Sequence, residues 1–230
     1  MASLDQTAED KVPESGRGPR SGEQRSLSEQ LWDLDWASLL PLHLGDDGLV
    51  ARYSSFEELK PFIAGNYANI FEEDRQESPF SSARPHPAKA RYMELTADFI
   101  AFELQGEPIG VLVGMPSDWS TYYIRSAAMV RGHQGRAAPQ TFLAALYPFL
   151  AKHGVERAEL DISPSNIAMM HIATRMRFNP TGTILSDRWG AMIRFSKFLD
   201  EDCETTFLRQ FCAGVAYQER ERRPRLPTSA

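Results

Sequence analysis

Apolar side chains first become dense at residue 31. In the stretch LWDLDWASLLPLHL (31–44), Leu31, Trp32, Leu34, Trp36, Leu39 and Leu40 are too apolar to be left in water. Residues 31–47 are therefore predicted to dock on a domain or on a second subunit. The residues before them, 1–30, are mainly Gly, Ser, Pro, Arg and Glu. Such a segment buries too little surface to offset the entropy of ordering it, and a disordered tail is expected.

From residue 48 the pattern is that of a folded domain, expected to run to about 200. The run LVARY from Leu49 reads as a strand. Ser54 or Ser55 can cap a helix starting near Phe56, with Glu57 and Glu58 in its first turn. Leu59, Phe62, Ile63, Tyr67, Ile70 and Phe71 continue at helical spacing. Glu77 to Lys89, rich in Ser, Pro and Arg, reads as a mobile loop. Phe99–Leu104 and Pro108–Met115, joined at Gln105-Gly106, form a hairpin, and Thr121–Val130 supplies the next strand. A helix over Gln140–His153 carries Phe142, Leu143, Leu146 and Leu150 on one stripe. Gly154 ends it and Pro148 is expected to kink it. A strand over 158–163, a helix from Pro164–Asn166 to about Met176, and strands over 178–185 and 189–195 complete the domain. The order β-α-β-β-β-α-β-α-β-β predicts a mixed α/β sheet. Residues 201–230 read as an extension, helical over 205–215 and then frayed.

Composition narrows the function. The chain has 230 residues, 42% of them hydrophobic, which suits one domain with a core and loose ends. A net charge of −6 argues against the broad basic face that a nucleic-acid binder needs. Cys203 and Cys212 form neither a metal-ligand pattern nor a disulfide framework, so no metal and a reducing cytoplasm are expected. No run of 18 apolar residues and no signal-peptide core occurs, so a soluble, cytoplasmic protein without a membrane partner is predicted. Asp33 and Asp35 would also repel an anionic lipid surface from the 31–44 segment.

The chemistry lies in AAMVRGHQGRAAPQTFLAAL (127–146), at a strand-to-helix junction. A loop of small residues opening a helix presents free N–H donors and the positive end of the helix dipole, which suits a pyrophosphate. Arg131 and Arg136 add positive charge. Further on, the strand LDIS leads into Asn166-Ile-Ala-Met-Met-His-Ile-Ala-Thr-Arg-Met-Arg-Phe178. Together these resemble the two signatures of the GNAT acetyltransferase superfamily, Q/R-x-x-G-x-G/A and N-x-x-A-x-x-x-Y-x-x-x-G-F, over about residues 48–196.

The resemblance implies a GNAT-like α/β fold: a mixed, mostly antiparallel sheet flanked by helices, whose fourth and fifth strands (121–130 and 158–163) splay apart. It implies acetyl-CoA or another acyl-CoA as donor. Gln134, Gly135, Arg136, Ala137 and Ala138 would cradle the pyrophosphate, and backbone groups of Ala127, Ala128 and Met129 would pair with the pantetheine. Asn166 would face the cofactor arm or cap its helix. Four positions depart from the pattern. Ala137 replaces the first motif glycine, Pro139 the second small residue, Ala173 the tyrosine that often protonates the leaving thiolate, and Arg177 the glycine before the closing phenylalanine.

Acyl transfer to an amine needs a proton acceptor and a stabilised thiolate. The fourth strand offers no carboxylate, so Tyr123 is the nearest positional match, with His171 on the second motif helix as the other candidate. Glu103, Glu159 and Asp161 read as solvated strand faces. The expected activity is acyl-CoA-dependent N-acylation of a small-molecule or peptide amine. A longer acyl group, an acyl carrier protein as donor and a homodimer are compatible variants. The alternative is a non-catalytic member of the fold that binds acyl-CoA or another protein.

Overall fold

A computed structural model of the chain describes residues 25–71, 87–186 and 189–211. The tail expected over 1–30 lies outside these residues up to 24, as do most of the expected loop at 77–89 and the end of the chain beyond 211.

The described residues contain eight strands: β1 (Leu42–His43), β2 (Leu49–Ser54), β3 (Asp98–Leu104), β4 (Glu107–Pro116), β5 (Thr121–Met129), β6 (Arg157–Ile162), β7 (Asn179–Ser186) and β8 (Gly190–Phe198). They form one sheet in the order β1-β2-β3-β4-β5-β6-β8-β7. Every pairing is antiparallel except β5 with β6. The described helices are α1 (Leu27–Leu31), α2 (Phe56–Phe71), α3 (Pro87–Thr96), α4 (Ala138–Lys152), α5 (Ile167–Arg175) and α6 (Glu201–Phe211). The β3–β4 turn has Gln105 at φ +54° and Gly106 at +83°, the paired left-handed geometry that matches strand twist in a two-residue hairpin.

Alternation along the strands divides the interior in two. On one face Ile100, Phe102, Leu112, Tyr122, Ala158, Leu160 and Ile162 pack with Phe142, Leu146 and Leu150 of α4 and Ala173 of α5. On the other, Phe99, Ala101, Val111 and Val113 pack with Leu59 and Phe62 of α2. The β6 residues Arg157, Glu159 and Asp161 alternate with the first set and so lie on the α2 side of the sheet.

Order begins earlier than residue 31. Ser26 caps α1 and Glu29 closes a capping box, a pattern legible in Ser-Leu-Ser-Glu but outweighed by the polar composition around it. Trp32, Leu34, Trp36 and Leu40 then enter the principal core beside α4. Trp36 lies 5.6 Å from the Tyr53 ring and 5.2 Å from that of Phe149. Leu34 is 1% exposed, and a leucine buried to that degree contributes roughly 1.5–3 kcal/mol.

The segment is fastened by one carboxylate. Asp98, at the start of β3, is fully buried and accepts from Ser26, Ser28, Trp36, Tyr53 and Tyr122. A buried carboxylate is tolerable only with such donors, and here three of them come from the N-terminal segment. Gly114 makes room for one of the others, because a Cβ there would lie 2.2 Å from the Tyr122 hydroxyl.

Two further elements differ from expectation. Helix α3 occupies the end of the stretch expected to be a loop, with Pro87 at its first position, where a missing N–H costs nothing. Helix α6 starts at Glu201 rather than 205, because Asp200 accepts from the Cys203 N–H and an acidic first turn complements the dipole.

Candidate active site

Strands β5 and β6 are paired only over Thr121–Tyr123 with Arg157–Glu159. Beyond Tyr123, β5 continues to Met129 hydrogen-bonded to β4 alone, so its other edge faces an opening in the sheet. The divergence has a local cause. Between Ser126, which pairs with Val113, and Ile124, which pairs with Gly114, Arg125 is an extra residue, and such a bulge bends and twists its strand. Ala127, Ala128 and Met129 are thus on the strand edge that borders the opening.

At the far end of β5 the chain makes a 3₁₀ turn over Arg131–His133 and enters α4. Gln134 folds back so that its side-chain amide donates to the Met129 carbonyl at 3.3 Å. Gly135 sits at φ +87° with open space around its missing side chain. Ala137 is the N-cap of α4 and has no side-chain acceptor, so no capping hydrogen bond competes for the first amides of the helix. Ala138 is buried in the principal core, and Pro139 stands in the first turn without an N–H to offer. Arg136 does not point its charge into an unshared site: it is ion-paired with Asp47 in the β1–β2 loop. These groups fit a pyrophosphate through backbone amides and the helix dipole rather than through Arg136.

On the α2 side, at the mouth of the opening, Tyr123 donates to Asp161 Oδ2 at 2.9 Å. Arg194 of β8 binds the same carboxylate in a fork, Nε to Oδ1 at 2.9 Å and Nη2 to Oδ2 at 3.0 Å. Its third nitrogen lies 3.5 Å from Glu159, which also accepts from Ser196 at 3.1 Å. Burial, reinforced by Asp161, pushes the Tyr123 phenol up to about 12, so it is a donor and not a base.

The expectation that Glu159 and Asp161 are solvated strand faces is therefore incorrect. Glu159 is 8% exposed, and the Asp161 side chain is 5% exposed. Arg157 and Arg194 supply the counter-charges that make this burial tolerable. The partner of Asp161 is 33 residues away in sequence, which local reading does not reach. Glu103 is likewise held, by Arg52 at 2.7 Å.

The second motif is split. Asn166 caps α5, accepting from the Met169 N–H at 3.1 Å, and is itself exposed. Ala173, where the family has its tyrosine, is 1% exposed and faces the principal core. His171 lies two residues away on the exposed part of the same helix. Tyr123 packs with the α2-side core, whereas α5 covers the opposite face, so the structure does not bring His171 and Tyr123 together. Among the described residues no group of His, Cys, Asp and Glu is arranged to hold a metal ion, and no helix is long and apolar enough to cross a membrane.

A sheet opened between two parallel strands, with an uncapped helix N-terminus beside the opening, is the architecture of an acetyltransferase fold. Residues 67–178 match the acetyltransferase (GNAT) family, and the chain carries a GNAT acetyltransferase domain. Solved structures of that fold superpose on it. Ard1 of Thermoplasma volcanium is 12% identical with a TM-score of 0.52, over 67% of this chain and 99% of that one. An N-acetyltransferase of Staphylococcus aureus is 17% identical with a TM-score of 0.51, over 66% and 99%. The yncA protein of Salmonella typhimurium, solved with its cofactor acetyl-CoA, is 14% identical with a TM-score of 0.51, over 67% and 95%. At such identities these show the shared fold. None of the curated proteins matches the chain.

Proposed function

We propose that this protein transfers the acyl group of an acyl-CoA, acetyl-CoA foremost, to an amine. The observation that carries this reading is the opening between β5 and β6, which has phosphate-binding geometry at one end and the Tyr123–Asp161–Arg194 set at the other.

In this reading the amides from Gly135 to Ala138 and the α4 dipole hold the pyrophosphate, with Gln134 bracing the loop against Met129. The β5 edge at Ala127, Ala128 and Met129, which β6 leaves unpaired, hydrogen-bonds the pantetheine, and Asn166 stays a helix cap. The thioester supplies an activated acyl carbon. The amine nitrogen bonds to that carbon, the carbon–sulfur bond breaks, and the sulfur leaves as a thiolate that takes up a proton from solvent, while the proton shed by the amine returns to solvent after the step. Asp161 accepts the proton that the attacking amine sheds, directly or through the Tyr123 hydroxyl, and Arg194 holds the carboxylate in place. His171 takes no part.

Three observations favour a second reading, a domain that binds acyl-CoA without turning it over. Arg136 is engaged by Asp47, Pro139 removes one amide, and Ala173 places no hydroxyl near the sulfur. Thermal melts with coenzyme A and thiol release across an amine panel separate the two. Coenzyme A should raise the melting temperature, and acetyl-CoA with the right amine should release thiol. Gly135→Val should abolish the thermal shift, because a branched residue is strained at φ +87° and its side chain would enter the phosphate space. A melting curve unmoved by millimolar coenzyme A would refute both readings. A shift without turnover would select the second.

A further inference from the structure

We propose that Arg125 binds a carboxylate on the acceptor, and that the acceptor is therefore a compact zwitterion, an amine with its own carboxylate a few bonds away. This deepens the acyl-transfer reading above and rests on it.

Arg125 is the extra residue of the β5 bulge, set between Ile124, which pairs with Gly114, and Ser126, which pairs with Val113. A bulge leaves its residue out of the ladder and re-aims the side chain. Tyr123, two residues earlier, is the last residue of β5 to pair with β6, so Arg125 stands where the opening has begun. Side chains two apart on a strand share a face, which puts Arg125 on the α2 side with Tyr123. Their nearness shows in the electrostatics: burial and Asp161 push the Tyr123 phenol up, and the Arg125 guanidinium pulls it the other way.

The guanidiniums on this face are not equivalent. Arg157 lies 3.2 Å from Asp118 and 3.4 Å from Glu159. Arg194 lies 3.5 Å from Glu159 and 2.9 Å from Asp161. Those pairs engage both arginines and all three carboxylates. Arg125 is exposed and, among the described residues, makes no hydrogen bond or ion pair. Its planar fork of donors, the geometry that suits a carboxylate, is thus left for a ligand.

The neighbourhood of Arg125 with Tyr123 and Asp161 sets the kind of acceptor. A simple ammonium would be repelled by Arg125, whereas a carboxylate on the same ligand turns that repulsion into attraction. The same positive charge favours loss of the ammonium proton, which the amine must shed before it attacks and which Asp161 is assigned to accept. Successive same-face positions on a strand are roughly 7 Å apart, so the two charged groups of the ligand are separated by only a few bonds. An α-, β- or γ-amino acid meets that condition.

The test is thiol release from acetyl-CoA by the full chain, with glycine, β-alanine and γ-aminobutyrate each compared with its amide. At least one acid should exceed its amide by about tenfold or more in kcat/KM, chiefly through KM, a charge-assisted pair of hydrogen bonds being worth that much. Arg125→Gln should erase that preference while leaving the coenzyme A thermal shift unchanged, and Arg125→Lys should keep part of it. Amides used as well as acids in all three pairs, or a preference that survives Arg125→Gln, overturns the assignment. Loss of the coenzyme A shift in Arg125→Gln would put the guanidinium on the donor instead and overturns it as well. No coenzyme A shift in the native protein overturns the acyl-CoA reading. A native shift with no thiol release from any of the six amines selects the non-catalytic reading and removes this inference with it.

Discussion

The Tyr123 hydroxyl reaches Asp161 at 2.9 Å across the line where two strands part. Tyr123 pairs with Glu159 in the last rung of the β5–β6 ladder, and Asp161 is the next residue on the same face of β6. Where backbone pairing stops, a side-chain hydrogen bond takes over, and it sits at the mouth of the opening.

Removing either end of that bond should slow chemistry more than binding. Tyr123→Phe and Asp161→Asn are expected to lower kcat by roughly 10²-fold, with the KM for acyl-CoA changed little. Because the Tyr123 phenol is pushed up to about 12, first by burial and then by Asp161, the rate should show no Tyr123 ionisation through the neutral and mildly alkaline range. Steady-state thiol release against pH measures both. Full activity in the two variants would remove these residues from the mechanism.

Asp98 should make stability depend on pH in a direction unusual for a carboxylate. Burial raises its pKa from 3.8 to about 6 against the pull of its hydroxyl donors, so folding favours the protonated form. Its stabilising contribution is complete below the unfolded value and is lost as pH rises through about 6. Urea melts of the native protein and Asp98→Asn should show the difference moving in favour of the native protein between about pH 7 and pH 4.5. Asp98→Ala, which strands five donors in the core, should cost about 3 kcal/mol or more at any pH. A pH-independent difference between native and Asn forms would show that the group titrates normally.

Arg177 carries a strain that glycine would relieve. It sits at φ +64°, immediately before Phe178, in the left-handed region that costs a side-chain-bearing residue about 1 kcal/mol. Its ion pair with Glu204 is long, at 4.0 Å, and the guanidinium is exposed, so the pair is worth little. Arg177→Gly should raise the unfolding free energy by roughly 0.5 kcal/mol, the relief exceeding the added freedom of the unfolded chain. A lower melting temperature in calorimetry would count against this.

Installing a tyrosine at Ala173 should harm the protein rather than improve it. The side chain faces the principal core at 1% exposure, and α5 would have to shift to admit a ring. A loss of about 1–3 kcal/mol is expected, with no gain in turnover. Unchanged stability together with faster thiol release would reveal room beside Ala173 that the packing does not show.

Local signals determined much of this protein. Strand alternation, the Gln105-Gly106 turn and the stripe on α4 are short-range patterns, and each is set by sterics and burial within a few residues. The opening loop of α4 was legible for the same reason: small residues before a helix have the same consequence in any fold. What the tertiary structure alone decided is where charge is buried. Asp161 is made tolerable by Arg194 from β8, Asp98 by serines some 70 residues earlier in the chain, and Arg136 is diverted by Asp47. A carboxylate on a strand looks solvated until its partner is known, because desolvation costs more than any local preference can signal and only a distant residue offsets it. Ala173 and His171 show the same limit in a helix: their spacing was readable, but which of the two meets the core depended on how α5 lies against the sheet.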